Sequence, residues 1–336
     1  MDHQKRHLFE KFQVQFGVGL LGLAVYVGLW PMVAPPDSMA PLSLLSVSGL
    51  GAALIVAACF CLLGFLAGAL TIHLRPSAGP MTALLAMGAL SLRSEKINVL
   101  LWRNGPGGGG TFLPLVGELI FLLGVVLLAF QAAAAGRALL ARTRPGWLWK
   151  SPLDCLSADV ESDSQSLSGW LPRVYALLTG SPLWQSPPRA RTVEDPDGRS
   201  KAGLWAQLGL ALLTTLIASQ LFQFILARSD QRGQILFAIG AGFFLAVLIG
   251  NLMFPTRMFA AFALLPILVG MGHYLHATTA VVHTFGGWAQ LPISARALPI
   301  DWATLGSGGA LAGFWVSSRI REAKWFEKQQ EVQSKA

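Results

Sequence analysis

Charge is scarce in this chain. Charged residues make up 12% of its 336 residues, about half the ~25% usual in soluble domains, which argues against an ordinary water-soluble enzyme. Cysteine is nearly absent, with Cys59, Cys61 and Cys155 the whole complement. Two residues apart on a helix, Cys59 and Cys61 point to nearly opposite faces, so they cannot share a metal there, and no disulfide is expected. The run Gly107–Gly110 is not followed by Lys-Ser/Thr, which excludes a phosphate-binding P-loop and leaves a turn. Asp154, Asp159, Glu161 and Asp163 lack the spacing of a calcium loop. Alternating ten-residue strands are missing, so an outer-membrane barrel is excluded as well.

What the chain does have is long apolar runs. Eight stretches of at least 17 residues contain no Asp, Glu, Lys or Arg: 12–36, 38–74, 76–92, 119–136, 202–227, 233–256, 258–295 and 302–318. A bilayer core about 30 Å thick needs ~20 apolar residues per helix. Backbone groups find no water there, so such segments must bond internally. The fold class expected is an all-α, polytopic transmembrane helical bundle. Spans are read at Phe16–Met32, Leu42–His73, Thr111–Gln131, Leu204–Ala227, Ile235–Phe254 and Met258–His276. Two further segments are weaker. Met81–Leu92 is short and reads either as a span or as a re-entrant piece buried in protein, and Thr304–Ser318 is glycine-rich. The expectation is eight spans, with seven as the alternative.

Lysine and arginine gather on the cytoplasmic side of membrane proteins. With eight spans and the N-terminus inside, 19 of the 25 basic residues fall on cytoplasmic segments, so both termini are expected to be cytoplasmic, in an inner (plasma) membrane. The first segment lacks small-x-small cleavage spacing at Trp30-Pro31-Met32-Val33-Ala34, which reads as a retained anchor and not a removed signal. Basic edges facing anionic lipid account for the net charge of +8, and no nucleic-acid partner is needed.

The division is two membrane blocks, residues 1–141 and 203–320, joined by a proline-rich cytoplasmic linker, 142–202, and followed by a charged tail, 321–336. Within the linker Leu167, Trp170, Leu171, Val174, Leu177 and Leu178 draw one apolar face on a short helix near 167–179. It lies either in the headgroup region or against the protein's own membrane block. The four-plus-four division is compatible with a duplication, although the halves share no residue-level likeness.

Small residues four apart let membrane helices approach closely. Ala238, Gly242, Ala246 and Gly250 form one such ridge, Gly64 and Gly68 a second, and Gly309, Gly313 and Ser317 a third. These are packing signals, suited to a compact bundle or to contact with a membrane-protein partner or a second copy.

Ionisable groups in lipid cost a few kcal/mol, about 2.5–3.5 on insertion scales, and each needs a reason. Glu118 is the one carboxylate inside an expected span. It is a candidate proton carrier, or the partner of Arg93 or Arg103. Thr215, Ser219, Gln220 and Gln223 form a polar stripe that either lines a pathway or bonds to a neighbouring helix. His273, His276 and His283 recur within one segment. His273 and His276, three apart, are spaced to share a zinc or copper ion, or His276 to ligate haem. Asp301 is the nearest acid. Three functions follow: a small-solute transporter or channel-like protein using Glu118 and the stripe, a noncatalytic subunit or scaffold, and a His-ligated redox or metal enzyme. The first is preferred.

Overall fold

A computed structural model describes residues 3–37, 40–97, 100–101, 109–143, 171–179, 201–229, 231–280 and 293–335. Its regular elements are all helical. Helix α1 (His3–Ala24) continues through a one-turn π segment, Val25–Leu29, into Trp30–Val33. There follow α2 (Gly49–Leu70), α3 (Ala78–Met87), α4 (Ala89–Arg93), α5 (Gly109–Thr143), α6 (Leu171–Thr179), α7 (Lys201–Leu226), α8 (Arg232–Met253) and α9 (Phe259–Ala280). The last, α10, starts at Pro299–Asp301, passes a second π segment at Trp302–Gly306 and runs on as Ser307–Lys335.

Six helices are long and apolar enough to cross a membrane: Glu10–Val33, Gly49–Leu70, Gly110–Thr143, Trp205–Leu226, Arg232–Met253 and Phe259–Thr279. Large apolar side chains stand on their outer surfaces, such as Phe16, Leu54, Leu128, Ile217 and Phe224. In water such a surface would be an aggregation liability; against acyl chains it is the ordinary exterior. The chain is an all-α polytopic membrane bundle.

The short segment α3–α4 explains why the sequence looked ambiguous there. Nine of the ten α3 residues are buried, and α1, α2, α5 and α10 surround the helix. A helix that touches protein on every side needs neither great length nor a lipophilic exterior. It runs alongside α1: Gly17 approaches Thr82, Gly22 approaches Ala86, and Arg93 reaches the carbonyl of Tyr26 at 2.9 Å. At 1.5 Å per residue, Ala78 to Arg93 spans about 22 Å and Glu10 to Tyr26 about 24 Å.

Polar groups collect in two layers at the ends of these helices. One contains Glu10, Arg75, Arg137, Arg319 and Glu322, with ion pairs Arg75–Glu322 and Arg319–Glu10. Arg137 donates to the carbonyls of Thr71 (2.8 Å) and Leu74 (2.9 Å), closing the end of α2. The other layer holds Glu118, Arg232 and Asp301. Glu118 to Arg137 on α5, and Asp301 to Arg319 on α10, each cover about 27–28 Å of helix, close to the thickness of a bilayer core.

The two halves share part of a plan. In each, the second and fourth helices lie parallel in close contact: Gly64 and Gly68 of α2 meet Ala129 and Ala133 of α5, and Gly309 and Gly313 of α10 meet Gly240 and Phe244 of α8. A Cβ on Gly68 or Gly313 would stand 2.1 or 2.2 Å from a backbone oxygen of the facing helix, so only glycine allows the approach. The third helix of each half packs on the fourth helix of the other, α9 on α5 and α3 on α10. The first helices break the likeness, since α7 packs chiefly on α8 while α1 packs on α3. Gly49 makes the entry to α2 with φ +83°, a conformation that side chains with a Cβ rarely adopt.

Helix α6 docks on the membrane block. Leu178 packs with Trp205, Leu208, Met258 and Ala261 at the Arg257 end of α9. Its neighbours Leu167 and Trp170 lie outside the described residues.

Candidate functional site

The site is built at one end of the bundle, from α5, α8, α9 and α10. Glu118, nine residues into α5, is fully buried. The segment between α1 and α2 folds inward over it. Leu42 N–H donates to Ser94 Oγ at 2.8 Å, which brings Ser43 Oγ to donate to Glu118 Oε2 at 2.6 Å and Leu45 N–H to the same oxygen at 3.4 Å. The other oxygen, Oε1, is buried without a hydrogen-bond partner among the described residues. Arg93 is not its partner: that guanidinium lies over the rings of Tyr26 and Trp30, 4.6 and 5.2 Å from their centroids. Arg103 lies outside the described residues.

Asp301 is also fully buried and is held from three directions. Arg232 Nη1 and Nη2 donate to its two oxygens at 2.5 and 2.6 Å, and Leu298 N–H donates to Oδ2 at 2.6 Å. Arg232 also donates to the carbonyl of Ser91 at 3.2 Å, tying α4 to α8 and α10. The pair is therefore bidentate, the strongest geometry for a guanidinium and a carboxylate.

Tyr274 is buried nearby and donates to the carbonyl of Ala297 at 2.6 Å, with Asp301 and Glu118 both near enough to act on it electrostatically. Its ring meets Phe112 at 5.9 Å. His273, on the same turn of α9, stacks on Trp302 at 5.7 Å and 21°. Trp302 opens the π segment and lies against Gly270, where a Cβ would come within 2.7 Å of its ring. Such segments insert an extra residue per turn and recur at functional sites. His273 Nε2 is buried without a partner among the described residues. Two carboxylates and one guanidinium, with Glu118 ionised, leave one net negative charge in a buried, aromatic setting.

The polar stripe on α7 goes elsewhere. Thr215 and Ser219 return their hydroxyls to the α7 carbonyls of Ala211 and Leu216 at 2.8 Å. Thr215 faces Gly250, and Gln223 faces Gly242, so the ridge Ala238, Gly242, Ala246 and Gly250 receives this face of α7. Gln220 is on the exposed side of the helix. Glu118 and the stripe do not share a site.

His273 and His276 also separate, His273 turning inward and His276 outward to the exposed surface. His283 lies outside the described residues. Among those described, no group of three or more His, Cys, Asp or Glu side chains is placed to hold a metal.

Asp301, Arg232, Tyr274 and Ser43 were not singled out by sequence as site residues. One signal was present: Arg232 and Asp301 immediately precede charge-free stretches, so opposite charges stand at the same end of two adjacent spans. Comparison with protein-family models, with curated proteins and with solved structures finds no match.

Proposed function

We propose that this is a small-solute transporter or channel-like protein of the plasma (inner) membrane, in which Glu118 accepts and releases a proton. In this reading α3–α4 and α10 complete eight crossings, and both termini and the linker face the cytoplasm. That arrangement places Glu10, Arg75, Arg137, Arg257 and Arg319 on the inner edge, as the positive-inside tendency requires.

The observation that carries the proposal is the Glu118 carboxyl, fully buried, with Oε2 held by Ser43 and Oε1 without a partner among the described residues. A carboxylate in that state is expensive to keep ionised in lipid, and such groups mark proton or ion routes. The Arg232–Asp301 pair is already neutralised, so Glu118 is the member of the cluster left to change charge.

Full-length protein in liposomes loaded with the pH dye pyranine, under a potassium diffusion potential, is expected to acidify the lumen. Glu118→Gln is expected to return the rate to that of protein-free vesicles. Equal rates in wild type and variant, or no rate above empty vesicles, overturn the reading.

A further inference from the structure

Helix α7 is held from one side. It packs chiefly on α8 and to a lesser extent on α9, and the face it buries carries Leu208, Ala211, Thr215, Ser219 and Gln223. The opposite face has an order of its own. Ala206, Leu210, Leu213, Ile217, Gln220 and Phe224 follow one another at alternating steps of four and three residues, and all six are exposed. At 100° per residue they fall within about 40° of a single line along the helix, which is the a/d seam of a heptad pattern.

Five of the six are apolar, as a lipid-facing line should be. Gln220 is not. It stands six residues inside the Leu226 end of the span, about 9 Å of helix below that end, and its amide makes no hydrogen bond among the described residues. Hydroxyls can return to their own helix, as those of Thr215 and Ser219 do; the Gln220 amide does not. Acyl chains offer it neither donor nor acceptor, so leaving it against lipid is costly. Glutamine side chains at such depths hydrogen-bond across helices instead.

The chemistry of the amide selects its partner. A primary amide carries both donor and acceptor and is therefore its own complement. Two copies inserted the same way round are related by a twofold axis along the membrane normal. An interface on that axis sets each position opposite itself at the same depth. Gln220 then meets Gln220, while Leu213, Ile217 and Phe224 meet their own counterparts, and no polar group is left against an apolar one. A helix of another protein would need a polar group at that one depth to do the same.

We propose that the outer face of α7 is a self-association surface: two copies of the chain pair in parallel along Ala206–Phe224, with their Gln220 amides bonded to each other. One polar position in an otherwise apolar seam fixes the register and the number of helices.

The test uses full-length protein in liposomes. Chains labelled with donor or acceptor dye through Lys324→Cys, an exposed position, in a background without Cys59, Cys61 and Cys155, are diluted with lipid and followed by energy transfer. A monomer–dimer equilibrium is expected. Gln220→Leu, which keeps an apolar side chain on an exposed face and so leaves the fold unstrained, is expected to raise the dissociation constant about fivefold. In the same background without the label, Ile217→Cys is expected to give a disulfide-linked dimer under mild oxidation in native membranes. Leu128→Cys, on the exposed side of α5, is expected to remain monomeric. Absence of energy transfer at every dilution, an unchanged constant in the Gln220 variant, or equal cross-linking at Ile217 and Leu128 overturns the proposal. A cross-linked product of any mass other than twice that of the chain overturns the second copy as the occupant.

Discussion

Arg232 forks onto Asp301 with both nitrogens, at 2.5 and 2.6 Å, across 69 positions of sequence and with the carboxylate wholly out of solvent. The contact joins the start of α8 to the start of α10 and, through Ser91, to α4. Removing one member of a buried pair leaves the other charge without compensation, at about 3–5 kcal/mol. Arg232→Ala and Asp301→Asn are each expected to lower stability by that order in an SDS-unfolding titration. The double change Arg232→Met with Asp301→Leu is expected to recover most of the loss. Single variants within 1 kcal/mol of wild type would remove the pair from the account of stability.

Glu118→Gln keeps an oxygen for the Ser43 hydroxyl and the Leu45 N–H, and it removes the charge. The variant is therefore expected to fold with stability within about 1 kcal/mol of wild type, since the bonds retained are worth roughly that each. Glu118→Leu, which strands both donors, is expected to cost about 1–3 kcal/mol. Circular dichroism melts in detergent distinguish the two. A Gln variant as unstable as the Leu variant shows that the charge itself holds the fold.

The α2–α5 seam offers an internally controlled comparison. A Cβ at Gly68 would come within 2.1 Å of the Ala133 oxygen, and one at Gly136 within 2.1 Å of the Phe65 oxygen, while Gly117 and Gly124 of α5 have nothing within 4 Å. Gly68→Ala and Gly136→Ala are expected to cost about 1–3 kcal/mol each through overpacking. Gly117→Ala and Gly124→Ala are expected to be neutral or slightly stabilising, because alanine favours helix. The four melts, ranked together, check the register of the seam: a large cost at Gly117 or Gly124, or none at Gly68, contradicts it.

Topology has a direct readout. In a chain stripped of Cys59, Cys61 and Cys155, Glu95→Cys is expected to react with an impermeant maleimide added outside whole cells. Lys324→Cys is expected to react only after the membrane is opened. Both positions are exposed. The reverse pattern inverts the orientation, and labelling of both from outside breaks the eight-crossing arrangement.

The bundle was legible because lipid imposes long charge-free runs: α8 follows its run to within a few residues, and α2 and α9 each lie inside one. The α3–α4 segment was ambiguous for the opposite reason: hydropathy reports contact with lipid, and this helix has little. Glu118 stood out as the single acid inside an expected span, but Ser43 lies 75 positions away and Tyr274 on another helix, and no local pattern announces such meetings. The α7 stripe shows how periodicity can be read too broadly. At 100° per residue, Ser219 and Gln223 fall about 40° and 80° from Thr215, whereas Gln220 falls about 140° away. The first three share the face buried on α8, and the fourth turns outward. His273 and His276 were paired by spacing alone, which cannot say that one ring is drawn inward by Trp302.

Helix α3 carries a consequence for how the protein is made. Its flank at Leu85 and Gly88 is covered by Gly308 and Leu305, and Ser91 meets Thr304 at 3.3 Å. All three covering residues belong to the final helix. During synthesis this flank therefore waits, uncovered, until more than two hundred further residues have been added. A nascent chain arrested before α10 would present that gap to the insertion and quality-control machinery, so premature termination late in the message should yield a product that is degraded and not a working truncated bundle.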